Sequence, residues 1–344
     1  MRWLCFVFLF GFVDRCDQFR SNSEALNYKD SYRIVSYNVE NLFDTWDEPY
    51  KFDDDFTPMG ANRWTRARYE KKVQDIGKVL VNAAGDKVPA VIGLIEVENR
   101  KVLEDLLNNS PLRKFQYAII HEDSPDERGI DVAFLYDTDQ FNYIDYQIGR
   151  IEFPDDVEDE TRDILMVKGS FGKDTVFFAV NHWPSRRGGV AETAPKRMHV
   201  AETLRAKTDA IRAKQPNAHI ILMGDFNDSP FDVSVANGLK AGALNNNTAP
   251  LINLMSERYR NGQGTYKYQN QWNMLDHFIV SRNLLDEEGK LFIADNSLQI
   301  FAPDYLREAD PNYPGERIFR TYRGPNYVGG YSDHFPIVLD VFVR

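Results

Sequence analysis

HIILMGDFNDS, His219 to Ser229, changes character at a single residue. Ile220 to Met223 form an apolar run that predicts a buried strand, and after Gly224 the chain turns to a carboxylate, an aromatic ring and a carboxamide. Asp225 and Asn227 are two apart, so on extended backbone they face the same way and offer oxygen ligands to one site. A carboxylate beside a neutral amide suits a hard cation such as Mg²⁺. The same run, FNDSP, also has the composition of a turn. Other strand ends in the chain decide between the two readings.

Working outward, TVFFAVNH (Thr175 to His182) is an apolar strand that delivers His182 into the loop WPSRRGG, a setting for a phosphate donor with Arg186 and Arg187 as cations. AVIGLIEVEN after Pro89 is an uninterrupted apolar run ending in Glu96, Glu98 and Asn99, which suits a strand covered on both faces. YRIVSYNV ends on Asn38, Glu40 and Asn41. NMLDHFIV, read as one strand from Asn273 to Val280, holds Asp276 in apolar surroundings. A buried carboxylate there requires a partner, and histidine is the natural one. The last strand, FPIVLDVFV, follows Tyr331-Ser332-Asp333-His334.

Between these strands the spacing of Tyr69, Val73, Ile76 and Leu80 predicts a surface helix, Val102 to Leu107 a second, and Lys196 to Lys214 a third. Strands are expected at Tyr117 to Ile120, Ile130 to Tyr136, Phe141 to Phe153 and Ile164 to Phe171. Asp44 to Asn62, with Asp53-Asp54-Asp55, reads as a solvated loop, and Ala302 to Gly330 as a long loop over the site.

The chain has 344 residues, 43% of them hydrophobic, enough for a large core, and no linker or repeat divides it. We read one catalytic domain over residues 30–344, behind a leader over 1–29. The leader carries one Arg before an apolar run from Trp3 to Val13, too short to span a bilayer but matching a signal peptide, so export to the periplasm or the extracellular space is expected. The cleavage signal is weak, and a disordered leader is the alternative. Cys5 and Cys16 both lie in it, so the folded part has no disulfide. A net charge of -11 excludes a protein whose affinity rests on a wide basic surface gripping many phosphates.

Together, SYNVEN, GLIEVEN, VNHWPS, MGDFND, MLDHFIVS and YSDHFP, in this order from Tyr32 to the carboxyl terminus, resemble the endonuclease/exonuclease/phosphatase superfamily, deoxyribonuclease-like metal-dependent phosphodiesterases. The resemblance implies an α/β fold, a four-layer α/β/β/α sandwich of two packed mixed sheets flanked by helices. It implies Mg²⁺, with Mn²⁺ or Ca²⁺ as alternatives, held by Glu96 with Asn38 and Asp333. His334 would be held by Asp276, Asp225 and Asn227 would position or activate water, and His182 would bind phosphate with Asp131 as its carboxylate partner. Either Asp225 or the His334–Asp276 pair could take the proton. Every catalytic position is filled, which favours an enzyme over a non-catalytic scaffold. The expected substrate is nucleic acid, bound through Arg186 and Arg187. Phospholipid or inositol phosphate is the alternative, although no exposed apolar hairpin for membrane contact is identifiable. The protein is expected to be a monomer without a stable protein partner.

Overall fold

The apolar run of the opening stretch forms β8 (His219–Asp225), buried along almost its whole length. The structure, a computed structural model, describes residues 30–154 and 159–344; the leader and residues 155–158 fall outside it. Strand β8 pairs in parallel with β7 (Asp174–His182) and antiparallel with β13 (Asp276–Ser281). Its faces are covered too, Ile221 and Met223 by the other sheet and Ile220 and Leu222 by the helical layer, which is why alternation is absent from its sequence. Gly224 sits in β8 at φ +126°, and a Cβ there would lie 2.1 Å from the Asn181 carbonyl oxygen of β7, so only glycine fits this close approach.

One seven-stranded sheet runs β5 (Asn142–Gly149), β6 (Ile164–Phe171), β7, β8, β13, β10 (Leu251–Asn253) and β9 (Ala241–Gly242). The other runs β14 (Leu291–Phe292), β20 (Ile337–Val343), β1 (Asp30–Leu42), β2 (Pro89–Val97), β4 (Asp131–Asp137) and β3 (Tyr117–His121), with β15 (Leu298–Ile300) also paired to β20. Strands β1 and β2 are parallel and β2 and β4 antiparallel, so this sheet is mixed as well.

Three apolar layers separate four structural ones. Between the sheets, Ile34, Val91, Ile95 and Phe134 meet Val167, Phe178, Ile221 and Met223. Outside the first sheet, Val35, Ile92 and Leu94 pack on helices α1 (Arg66–Ala84) and α2 (Arg100–Asn109). Outside the second, Ile220, Leu222 and Ile279 pack on α3 (Val190–Lys214). The expected α/β/β/α sandwich is therefore observed. No helix among the described residues is long and apolar enough to cross a membrane.

Helix α3 starts six residues before the expected Lys196 and runs through Pro195. Pro195 is the sixth residue of the helix, beyond the first turn, so the helix forgoes one backbone hydrogen bond there. Fully buried Arg197 adds support by donating to Thr193 Oγ1 (2.7 Å) and the Val190 carbonyl (3.1 Å). Strand β5 stops at Gly149 rather than Phe153, because the Ile151 amide turns to Asp163 Oδ1 (3.2 Å). The expected Asn273–Val280 strand is broken: Thr265 Oγ1 takes the Leu275 and Asp276 amides, separating β12 (Gln271–Asn273) from β13. Asp53 is buried and accepts the Glu48 amide rather than facing solvent. The expected late loop is two small hairpins, β16 (Arg307–Ala309) with β17 (Glu316–Ile318) and β18 (Tyr322–Arg323) with β19 (Asn326–Tyr327). They lie against α1, where Lys72 donates to Thr321 Oγ1 (2.6 Å) and the Tyr331 carbonyl (2.5 Å).

Candidate active site

Topology brings the polar strand ends to one edge of the sandwich. Parallel β1 and β2 deliver Asn38 and Glu96 from the first sheet, while parallel β7 and β8 deliver His182 and Asp225, which are register partners, from the second. Antiparallel β13 begins with Asp276 opposite Asp225, and the chain enters β20 through Asp333 and His334. The backbone is irregular at these points. Glu40, Asn41, Glu96 and Asn227 all have positive φ, between 50° and 66°, and the β1–β2 and β2–β4 registers slip around Glu96. Such conformations cost about 1–3 kcal/mol each and concentrate at functional sites.

Asn38 Nδ2 donates to Glu96 Oε1 (3.2 Å) and Asp225 Oδ2 (3.1 Å), joining the two sheets. The Asn41 amide donates to Glu96 Oε2 (2.9 Å). His334 Nδ1 is 2.7 Å from Asp276 Oδ2, and its Nε2 is 3.7 Å from Asp225 Oδ2. The Asn227 amide donates to Asp225 Oδ1 (2.8 Å) and its side-chain Nδ2 to the Trp183 carbonyl (3.0 Å), leaving its Oδ1 without a hydrogen bond among the described residues. His182 Nε2 lies 3.7 Å from Glu96 Oε1 and 3.9 Å from Asp225 Oδ2, and its buried Nδ1 has no partner among the described residues. Asp333 Oδ2 accepts from Arg320 (2.8 Å). Glu96, His182, Asp225, Asn227, Asp333 and His334 line a cavity of about 770 Å³, with Asn38 and Asp276 buried behind its wall.

Burial and charge set the protonation states. Burial pushes the Asp225 carboxyl up to about 7, with Asp276 and Glu96 adding to the rise and His334 opposing it. Burial alone would neutralise His334, but Asp276 and Asp225 outweigh it and hold the imidazole charged, well above its ordinary range. Burial, with Arg162 and Arg128 nearby, holds His182 neutral.

A model of the Endonuclease/Exonuclease/phosphatase family matches residues 33–342. The chain belongs to that family. Solved structures share its fold: D. rerio TDP2 complexed with single-stranded DNA product (TM-score 0.55, 13% identity, covering 90% of this chain and 98% of that one); the human Nocturnin catalytic domain with bound sulfate (0.53, 15%, 91% and 95%); and a Bacteroides thetaiotaomicron mannosyl-6-phosphatase (0.53, 16%, 90% and 99%). No curated protein matches the chain. As a member of this family the protein is a hydrolase of phosphoester bonds.

Two site expectations are corrected. Asp131 is not the partner of His182: its carboxylate takes His121 Nε2 (3.2 Å) and the Ser124 amide (2.8 Å), because register places β3 and β4 side by side there. Arg186 is not a free substrate cation. It lines the cavity but donates to the Asn227 carbonyl (2.6 Å), Asp228 Oδ1 (3.2 Å) and Asp232 Oδ2 (2.6 Å), so its charge is balanced by carboxylates of its own chain. Arg187 is exposed and its guanidinium makes no ion pair among the described residues. Sequence reasoning missed Arg128, which lines the cavity and donates to Asn41 Oδ1 (2.6 Å). It also missed Arg320, which joins Asp333 to Glu40, and the aromatic wall at Tyr266 and Tyr268. Neither arginine shows a pattern by which sequence could find it.

The donors fit a hard divalent cation. Glu96 and Asp333 face the cavity, and each carboxylate oxygen of Glu96 receives one hydrogen bond and keeps a lone pair. Mg²⁺ is typically held by one or two carboxylates, with water and phosphate oxygens completing its shell. The one set of three His, Asp or Glu ligand atoms within 4.8 Å of one another among the described residues is His121, Asp123 and Asp131. It offers a ligand set at the neighbouring sheet edge, but Asp123 is exposed and Asp131 already engaged.

Proposed function

We propose that the protein is a divalent-metal-dependent phosphodiesterase that cleaves nucleic acid by in-line attack of water. The observation that supports this most is the Asp276–His334 pair aimed at Asp225 beside a cavity-facing Glu96. Glu96 and Asp333 would hold the cation, and Asn38, whose Oδ1 accepts the Glu40 amide, positions the Glu96 carboxylate through Nδ2 rather than ligating as expected. When bound, Mg²⁺ neutralises charge on the non-bridging phosphate oxygens. His182, kept neutral, has an N–H to donate to a phosphate oxygen. The free oxygen of Asn227 orients the attacking water. An imidazolium has no lone pair to accept a proton, so the charged His334 stabilises the transition state and Asp225, raised to about 7, is the general base.

A phospholipid substrate is the second reading, favoured by Trp46, Tyr50, Phe52 and Met59, all exposed on one loop. Exposed Asp47, Glu48, Asp54 and Asp55 on the same loop disfavour contact with an anionic bilayer. The test is turnover of single-stranded DNA, RNA, sphingomyelin and inositol phosphates by purified protein, with Mg²⁺ and with chelator. We expect nucleic-acid cleavage that chelator abolishes. Full activity in chelator, or turnover of lipid or inositol phosphate alone, overturns the proposal.

A further inference from the structure

One wall of the cavity is the hairpin of β11 (Tyr266–Tyr268) and β12 (Gln271–Asn273). Its cross-strand pairs are Tyr266 with Asn273, Lys267 with Trp272, and Tyr268 with Gln271. Side chains alternate across a strand, so Lys267 and Trp272 share one face and the other four share the opposite one. The Lys267–Trp272 face is anchored. Lys267 Nζ pairs with Asp310 Oδ2 at 3.2 Å, both side chains being 4% exposed, and Trp272 stacks on Phe335 at 5.6 Å. The opposite face, Tyr266, Tyr268, Gln271 and Asn273, lines the cavity.

This face is built but largely unspent. Tyr266 lies over the His334 ring at 5.0 Å, fixing the wall to the catalytic histidine. Tyr268 is 59% exposed, with no ring contact or hydrogen bond to its phenol among the described residues, and the Gln271 carboxamide is likewise unbonded. Asn273 Nδ2 donates to the Gln271 carbonyl (3.3 Å), which leaves the Gln271 carboxamide as the uncommitted donor and acceptor. An exposed aromatic ring on a rigid support beside such an amide matches an unpaired nucleobase, the ring stacking on its face and the amide meeting its edge. Across the same cavity, Arg187 supplies a cation for a neighbouring phosphate. In a duplex the faces of a base are covered by its neighbours, so this wall accepts only unpaired strands.

We propose that the cavity face of the β11–β12 hairpin is a subsite for one unpaired nucleobase beside the scissile phosphate, with Tyr268 as its stacking platform. It rests on the nuclease reading and narrows it to single-stranded substrate. The test uses full-length protein with Mg²⁺ on a single-stranded oligonucleotide, on the same strand with an abasic site beside the scissile bond, and on its duplex. Alanine substitution at a stacking aromatic weakens binding by roughly 5- to 150-fold. Tyr268→Ala is therefore expected to raise KM for the intact single strand within that range while kcat holds, to leave KM for the abasic strand at the wild-type value, and to be rescued by Tyr268→Phe. Wild type is expected to prefer the single strand to the duplex. If wild type cleaves oligonucleotides but Tyr268→Ala raises KM equally for intact and abasic strands, or not at all, the subsite is wrong and the nuclease reading survives. If wild type cleaves no oligonucleotide but hydrolyses other phosphoesters, both are wrong.

Discussion

Replacing Asp276 by Asn keeps an acceptor for His334 Nδ1 and removes only the charge, so it isolates what the carboxylate does. At 2.7 Å and an effective dielectric of about 20, the gross attraction between the two ions is about 6 kcal/mol. The side chains are 0% and 5% exposed, so desolvation takes back several kcal/mol. A net coupling of about 2–4 kcal/mol remains, and if it acts through the transition state kcat falls by roughly 30- to 900-fold. The pH profile should change with it. In wild type His334 is held charged well above its ordinary range, so its contribution is present through neutral pH and is lost only as pH rises through that raised value. In Asp276→Asn the imidazole returns towards an ordinary value near 6.5, and an alkaline limb should enter the kcat profile between about pH 6 and 8. The assay is kcat from pH 5 to 9 for wild type, Asp276→Asn, His334→Gln and the double mutant, with thermal melts to show that each is folded. The double mutant should be no more than about tenfold worse than the poorer single one, because both remove the same unit. Losses that multiply, together with an unchanged alkaline limb, would refute the reasoning.

Other substitutions separate the remaining roles. Glu96→Gln should fold normally and weaken Mn²⁺ binding, read by electron paramagnetic resonance, by at least the roughly 10- to 100-fold that loss of an outer partner causes; unchanged Mn²⁺ affinity places the cation elsewhere. Arg187→Ala should lower the slope of log KM against log salt on single-stranded DNA by about 0.7, whereas Arg186→Ala should leave that slope alone and reduce stability by about 1–2 kcal/mol through its lost pairs with Asp228 and Asp232. The reverse pattern would return Arg186 to the substrate. His277 is buried neutral, its value lowered to about 4 by burial. Its folded value is depressed below the unfolded one, so its contribution is complete above about pH 6.5 and is lost as pH falls through 4, amounting to about 3 kcal/mol. Urea unfolding of His277→Gln should show a correspondingly shallower acid loss; an unaltered slope between pH 6.5 and 4 would sink this.

The layers were legible because β2, β7 and β8 are apolar runs that stop abruptly at Glu96, His182 and Asp225. A strand covered on both faces has no other place to put a carboxylate, so polarity at its end marks an edge where a site can form. Pairing was harder to read. Arg186 reads as a substrate cation because sequence displays its charge but not its pairing with Asp228, inside the opening stretch, and Asp232, three residues after it. Asp131 was misassigned for the same reason, since the register of β3 against β4 decides that His121 is its neighbour. Arg128 and Arg320 come from irregular segments, and there neither period nor motif says where a side chain will point.

Catalytic geometry here depends on the spacing of two sheets. Asp276 belongs to the second sheet and His334 enters the first, so their 2.7 Å contact crosses the interface, as does the bridge of Asn38 from Glu96 to Asp225. Interiors are close-packed, so an atom added between the sheets makes its neighbours shift. At Gly93 of β2 the neighbour is the flexible end of the Met223 side chain of β8, whose terminal carbon would lie 2.7 Å from a Cβ there. The motif GLIEVEN thus places a close contact between the sheets at Gly93 and the proposed ligand Glu96 three residues apart on one strand. The same strand packs against the second sheet and delivers the carboxylate to the edge where the two sheets meet.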